Sequence, residues 1–172
     1  RNVLGYIEGE KKDEWVIVGA HYDHVGLGET GRREGEKGEI FRGADDNGSG
    51  TVAVLAVAEA FSKLVTHPGH KPKRNIAFCF WGAEEWGEHG SLYFTRHLAE
   101  SGIDQEKITG YINMDMVGRN ETNKLFLLCG QVKNGEKESD SEKCKDLYAL
   151  ADDVNRQIEA RVAARRGAGC AA

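Results

Sequence analysis

The sequence predicts an α/β fold, a three-layer sandwich whose mostly parallel or mixed central sheet carries helices on both faces. Residues 15–20 and 75–81 are continuous apolar runs, which are typical of strands covered on both sides. Between them, residues 51–65 place apolar side chains at helical spacing, as expected of a helix that packs on a sheet. Strands that alternate with helices in this way indicate an α/β sandwich.

The other segments of the first two thirds of the chain fit the same plan. Residues 2–8 alternate weakly and predict a strand near a sheet edge, whereas the charged residues 10–14 predict a turn. Residues 26–42 are rich in glycine and charge, so we expect a surface loop that passes over the end of the sheet. A helix over 90–100 and a strand over 108–114 follow.

The last third of the chain carries weaker signals. A short strand is predicted over 124–128, and Ser139 to Glu142 resemble a capping box that opens a long amphipathic helix. Because no repeat or linker divides the chain, we expect a single domain over residues 1–172. From about residue 160 the composition changes to alanine, arginine and glycine, and we expect the C-terminal part to be missing or altered there.

Composition excludes several classes of partner. A formal net charge of -5 gives no electrostatic reason to expect nucleic acid or an anionic membrane. No apolar run approaches the roughly 20 residues of a membrane-spanning helix. The four cysteines are widely spaced and form no CxxC pair, so a zinc-thiolate ribbon is not expected and the redox compartment stays open.

Four polar turns follow the apolar runs, and they carry most of the candidate functional residues. The clearest is Glu84-Glu85, where an aromatic-rich strand ends abruptly in two carboxylates. Ligands of open α/β sheets bind at the carboxyl ends of the strands, so we expect the four turns to converge on a metal. Adjacent side chains on an extended segment diverge, which predicts different roles for Glu84 and Glu85.

Each of the other turns also has a simpler interpretation. His21 and Asp23 point to the same side of a strand end and suit zinc ligation, but they could also form an ordinary hydrogen-bonded pair. Asp45 and Asp46 precede a helix, where aspartate is a favoured N-cap, although a carboxylate can also bridge two cations. Asp115 lies between two methionines, a setting in which an acid is usually paired, capped or metal-bound.

Taken together, the four turns resemble the M28 family of zinc aminopeptidases. The strings are HYDHVG (21–26), GADDNGSG (43–50), GAEEWG (82–87) and NMDMVG (113–118). The M20 carboxypeptidase-like family also has HxD and paired glutamates, but Lys-Gly normally follows its second acid, so M28 is favoured. The resemblance covers residues 2–158 and implies a zinc-exopeptidase-like α/β fold.

The resemblance also implies roles for six residues. His21 and Asp115 would bind a first zinc, Glu85 a second, and Asp46 would bridge the two ions. Glu84 would be the general base. Asp23 would not bind zinc itself but would orient the His21 ring.

One departure from the family pattern affects the second zinc. The family supplies a last histidine from a loop near the C-terminus, and no histidine follows Asp115 here. We therefore expect one complete site, formed by His21, Asp46 and Asp115. The second site would lack a protein ligand unless the fold places another histidine there; the candidates are His24, His89 and His97.

The function implied by the resemblance is zinc-dependent aminopeptidase activity on peptides with a free N-terminus. A secreted or periplasmic location is suggested by the resemblance alone. Two alternatives stay open. One is a catalytically impaired binding domain that keeps the peptidase fold, and the other is a single-zinc acyltransferase similar to glutaminyl cyclase. The preferred N-terminal residue and the oligomeric state do not follow from the sequence.

Overall fold

The computed structural model describes residues 1–27, 38–118 and 149–157, together with the backbone of 131–133 and 136–138. The chain forms two compact units, Arg1–Thr122 and Asn123–Ala172, and each is described by itself. The single-domain organisation stays a prediction.

The first unit contains a mixed sheet of four strands: β1 Val3–Ile7, β2 Lys11–His21, β5 Arg74–Trp81 and β6 Ile108–Asn113. Their order in the sheet is β1-β5-β2-β6. β2, β5 and β6 are parallel, and β1 pairs with β5 antiparallel at the edge, as predicted from the sequence. The carboxyl ends are in register, with His21 opposite Trp81 and Gly19 opposite Asn113.

β2 begins earlier than predicted, and the charged segment 10–14 is part of the strand from Lys11 onward rather than a turn. The register shifts between Lys11 and Trp15, so this end of the strand is irregular. Ion pairs offset the polarity of this segment: Glu14 pairs across the sheet with Arg74 of β5 at 2.6 Å, and with Lys11 of its own strand. The Asn75 side chain donates to the Lys12 carbonyl at 2.6 Å.

One face of the sheet is covered by α1, Gly50–Leu64, close to the predicted range. Val54 of α1 is fully buried and packs in a cluster with side chains from the two central strands: Val18, Ala20, Ile76 and Phe78. These sheet residues alternate with those of the opposite face, as the period of two in a strand requires.

The opposite face is covered by α2, His89–Arg96, and by a 3-10 turn at Leu98–Ser101. A further 3-10 turn, Gln105–Lys107, precedes β6. Phe94 packs on Trp81 with ring centroids 5.1 Å apart. The other members of this cluster are Ile17, Ala77, Cys79, Leu98 and Ile103. Helices therefore lie on both faces, and the predicted α/β sandwich is confirmed.

The predicted helix over 90–100 ends early. α2 stops at Arg96, and a 3-10 turn continues from Leu98. At His97 the backbone leaves helical geometry, and its ring stacks on Tyr93 with centroids 4.1 Å apart. The 3-10 turn ends at Gly102 in the left-handed conformation that glycine favours.

The predicted loop over 26–42 contains two short antiparallel strands, β3 Gly26–Leu27 and β4 Ile40–Phe41. Residues 28–37 lie outside the described part of the chain.

The second unit contains an antiparallel pair, β7 Gln131–Lys133 and β8 Glu136–Glu138, and a helix, α3, over 149–157. α3 falls within the predicted amphipathic helix. The predicted strand at 124–128, the capping box at 139–142 and the altered tail from 160 all lie outside the described residues. Among the helices that are described, none combines the length and apolar character needed to span a bilayer.

The burial of Cys79 gives a direct test of this core. Its side chain is fully buried in β5, and burial raises the pKa of the thiol to about 12. Because the thiolate is the reactive form, we expect no alkylation of Cys79 by iodoacetamide at pH 8 in the folded chain, but rapid alkylation in urea. Peptide mapping by mass spectrometry measures this. Modification of Cys79 without denaturant would contradict the packing.

Candidate metal centre

The candidate site lies in the first unit, at the carboxyl edge of the parallel strands. His21 is the last residue of β2, and Glu84 and Glu85 follow the end of β5. Asp115 follows β6, and Asp46 comes from the turn that precedes α1. Four segments that are distant in sequence thus meet at one edge, as the rule for open α/β sheets predicts.

The turn after β2 is tied to the turn after β5 by a single carboxylate. Asp23 Oδ1 accepts a hydrogen bond from the Glu84 N–H at 3.0 Å, and its Oδ2 accepts from the Glu85 N–H at 3.4 Å. The Tyr22 N–H also donates to the Trp81 carbonyl at 2.9 Å. These contacts fix the positions of Glu84 and Glu85 relative to β2.

The turn before α1 is tied to the segment after β6. Asp45 Oδ1 accepts hydrogen bonds from the Gly118 N–H at 2.9 Å and from the Ser49 hydroxyl at 3.0 Å. The Asn47 side chain donates to the Met114 carbonyl at 3.0 Å and accepts from the Gly50 N–H at 2.9 Å. The Asn47 side chain therefore caps the first N–H of α1, a role that the sequence favours for an aspartate. The Asp46 carboxylate lies close to His21 instead.

Gly50 is required at the junction of this turn and α1. A Cβ at this position would lie 2.2 Å from both Asn47 Oδ1 and the Met114 carbonyl oxygen. We expect Gly50→Ala to lower the free energy of unfolding by about 1–3 kcal/mol, although alanine favours helix. Urea denaturation measures the change. Gly110→Ala is the matched control because a Cβ there meets nothing within 4 Å; equal stability of the two variants would contradict the close approach.

His21 is the centre of the first group of potential ligands. Its ring is only 3% exposed, and Nε2 lies 3.1 Å from Asp46 Oδ1 and 3.5 Å from Asp115 Oδ1. Nδ1 lies 3.2 Å from the Asp23 carbonyl oxygen. Because a carbonyl can only accept, this contact places the hydrogen of the neutral ring on Nδ1 and leaves the Nε2 lone pair facing the carboxylates.

Asp23 thus contacts His21 mainly through its backbone. The Asp23 carboxylate lies 3.7 Å from His21 Nδ1, farther than the 3.2 Å of its carbonyl oxygen. Its clearer function in the structure is to hold the turn that carries Glu84 and Glu85. The orienting role of Asp23 implied by the family resemblance stays a prediction.

A second group of potential ligands consists of His24, Asp46 and Glu85, whose candidate ligand atoms lie within 4.8 Å of one another. His24 Nδ1 is 2.7 Å from Glu85 Oε1. Asp46 belongs to both groups, which is the position required of a bridging carboxylate. In the described part of the chain, neither His89 nor His97 belongs to a group of this kind.

Glu84 lies beside the first group, with Oε2 3.8 Å from His21 Nε2. It also belongs to a third possible ligand group, with His21 and Glu85. Burial raises the pKa of Glu84 above its ordinary value, the neighbouring carboxylates raise it further, and His21 opposes the rise. A carboxyl group whose pKa is raised in this way is suited to taking up a proton.

The negative charge of the carboxylates in this cluster favours the binding of a cation. Four carboxylates converge at the site, and within the described residues their ion pairs involve histidine rings and no lysine or arginine. Imidazole nitrogen and carboxylate oxygen are zinc ligands. Ligand atoms about 2.0–2.1 Å from one tetrahedral zinc lie roughly 3.3 Å apart, close to the distances around His21. The residues present therefore fit a zinc ion.

The buried His21 ring lies among carboxylates, at the carboxyl edge of a mixed sheet with helices on both faces. The fold and this cluster together define an α/β protein with a candidate metal centre. The comparison with known families agrees with this class. The chain belongs to Peptidase family M28, whose profile matches residues 2–169. The family predicted from the sequence is therefore confirmed.

The chain is similar to several curated proteins. It is 34% identical over 117 residues to leupeptin-inactivating enzyme 1 of Streptomyces exfoliatus, a match that covers 68% of this chain and 22% of that protein. It is 33% identical over 116 residues to a probable leucine aminopeptidase 2 of Aspergillus fumigatus, covering 67% of this chain and 19% of that protein. The chain thus spans about a fifth of the length of these two relatives.

Among solved structures, a Zn-dependent exopeptidase from Parabacteroides distasonis matches with a TM-score of 0.50 and 23% identity. The match covers 68% of this chain and 41% of that one. At this identity the likeness supports the fold.

Proposed function

We propose that this chain carries the metal ligands and the general base of a zinc aminopeptidase that removes N-terminal residues from peptides. The single observation that carries the proposal is the placement of His21 Nε2 between Asp46 and Asp115, with the Glu84 carboxylate 3.8 Å away. Membership of Peptidase family M28 supports it.

In this proposal, His21, Asp46 and Asp115 hold a first zinc, and Asp46 and Glu85 provide ligands for a second. When bound, zinc supplies Lewis acidity, which lowers the pKa of a coordinated water toward about 7 and stabilises negative charge on oxygen. Asp46 would neutralise part of the charge of both ions, because it belongs to both groups of potential ligands. His21 is held for this role by its Nδ1 contact with the Asp23 carbonyl.

Glu84 performs the proton transfers. Its carboxylate takes a proton from the attacking water and later donates it to the leaving amine, so that the residue returns to its starting state after each cycle. Burial raises the pKa of Glu84, so its carboxylate is a better proton acceptor than that of an exposed glutamate. The Asp23 carboxylate fixes the Glu84 backbone and thereby keeps this side chain beside the metal ligands.

In this proposal the substrate is a peptide with a free N-terminus. Membership of Peptidase family M28 supports a peptide substrate.

Removal of metal tests the proposal. The 172-residue chain should hydrolyse aminoacyl p-nitroanilides when loaded with zinc, lose this activity after dialysis against a chelator, and regain it when zinc is returned. Undiminished activity after zinc removal would contradict the proposal. Zinc binding without hydrolysis would favour the binding-domain alternative, and cyclisation of an N-terminal glutaminyl peptide would favour the acyltransferase alternative.

A further inference from the structure

We propose that His24 is the third protein ligand of the second zinc, so that His24, Asp46 and Glu85 form a complete site beside the one formed by His21. The inference rests on the proposed function, because it concerns the second ion of the same centre. The family resemblance implies no role for His24 and assigns the corresponding ligand to a histidine near the C-terminus.

The distances support this assignment. The candidate ligand atoms of His24, Asp46 and Glu85 lie within 4.8 Å of one another, as do those of His21, Asp46 and Asp115. The closest pair is His24 Nδ1 and Glu85 Oε1, at 2.7 Å. A divalent cation can replace the hydrogen shared by a ring nitrogen and a carboxylate, and such binding releases a proton.

The His24 ring is also held in place from several directions. Gly43 lies against it, and a Cβ at position 43 would be 2.7 Å from His24 Cγ. The Phe41 ring meets it edge-on, with centroids 6.4 Å apart. With 22% of its side chain exposed, His24 is largely enclosed while one side faces the carboxylates. A ligand that is fixed before the metal arrives loses little rotamer freedom on binding.

His24 is placed beside Glu85 by contacts that involve neither the His24 nor the Glu85 side chain. Asp23 accepts hydrogen bonds from the Glu84 and Glu85 N–H groups, so the residue directly after Asp23 is brought to the turn that carries Glu85. The His24–Glu85 contact is therefore a consequence of how two strand ends are joined. This arrangement can serve a metal as well as a hydrogen bond.

The rival interpretation is that His24 only positions Glu85 by a hydrogen bond. His24→Asn distinguishes the two roles, because an asparagine side chain can still donate to a carboxylate but is a poor zinc ligand. We expect zinc titration of the metal-free chain to give two ions for the unsubstituted protein and one for His24→Asn. The second ion should bind the variant more than 100-fold more weakly, beyond the 10- to 100-fold typical of residues that only orient a ligand.

The matched control is His89→Asn, an exposed histidine outside the three possible ligand groups, which should still bind two ions. Two tightly bound ions in His24→Asn, or a single ion in the unsubstituted chain, would overturn the inference. Circular dichroism and urea denaturation verify that each variant is folded.

A measurement on the unsubstituted chain avoids any dependence on folding of the variants. With ¹⁵N-labelled histidine and ¹¹³Cd in place of zinc, we expect scalar coupling to ring nitrogens of both His21 and His24. Coupling at His21 alone would overturn this inference and leave the proposed function standing. Absence of coupling at both rings would overturn the inference and the proposed metal centre together.

Discussion

Glu84→Gln is expected to lower kcat/KM for aminoacyl p-nitroanilide hydrolysis by roughly 10²- to 10⁴-fold while zinc content stays unchanged. Glutamine keeps the size and the backbone contacts of Glu84, including the Glu84 N–H donated to Asp23. It cannot take a proton from water at neutral pH. Steady-state kinetics together with metal analysis of the dialysed protein measures both parts of the expectation.

Glu88→Gln is the control for Glu84→Gln because Glu88 is exposed on the same segment and belongs to none of the three possible ligand groups. It should leave kcat/KM unchanged. Loss of zinc in Glu84→Gln would reassign Glu84 as a metal ligand, in agreement with its group with His21 and Glu85. Full activity with full zinc content would show that another group is the base.

Asp46→Asn is expected to have the largest effect on metal binding, because Asp46 belongs to the groups around both His21 and His24. A neutral amide is a weaker zinc ligand and neutralises no charge. Zinc at 100 times Kd should stabilise the unsubstituted chain by about 2.7 kcal/mol for each ion bound, and this stabilisation should be absent in the variant. Thermal denaturation with and without zinc measures the difference.

Loss of metal binding in Asp46→Asn can be separated from loss of folding. Removing one of several converging negative charges relieves like-charge repulsion, so the metal-free variant should be at least as stable as the metal-free parent. Asp13→Asn is the control, since Asp13 is an exposed partner of Lys107 at 3.2 Å and its loss should leave zinc stabilisation intact. Unchanged zinc stabilisation in Asp46→Asn would contradict a shared ligand.

Much of the fold could be predicted because burial on both faces leaves a clear pattern in the sequence. The continuous apolar runs of β2 and β5 and the apolar face of α1 mark the layers directly. The boundaries at Lys11 and Arg96 could not be predicted, because they depend on contacts made after folding. Glu14 pairs across strands with Arg74, and the His97 ring stacks on Tyr93 where the backbone departs from α-helix.

The convergence of His21, Asp46, Glu85 and Asp115 could also be predicted, since each lies at the carboxyl end of a strand or at the start of a helix. The position of His24 could not. It depends on the hydrogen bonds that the Asp23 carboxylate accepts from residues 61 and 62 positions away, and on the close approach of Gly43. Neither interaction leaves a periodic signal in the sequence. The assignment of these side chains as ligands stays a prediction.

The two hydrogen bonds accepted by the Asp23 carboxylate have a consequence for how substitutions in this protein combine. They fix the position of the segment that carries His21 and His24 relative to the segment that carries Glu84 and Glu85. Substitutions on one side should therefore show epistasis with substitutions on the other, with double mutants departing from the sum of the single effects. A substitution that changes the basicity of Glu84 should then also change the affinity of the site for metal.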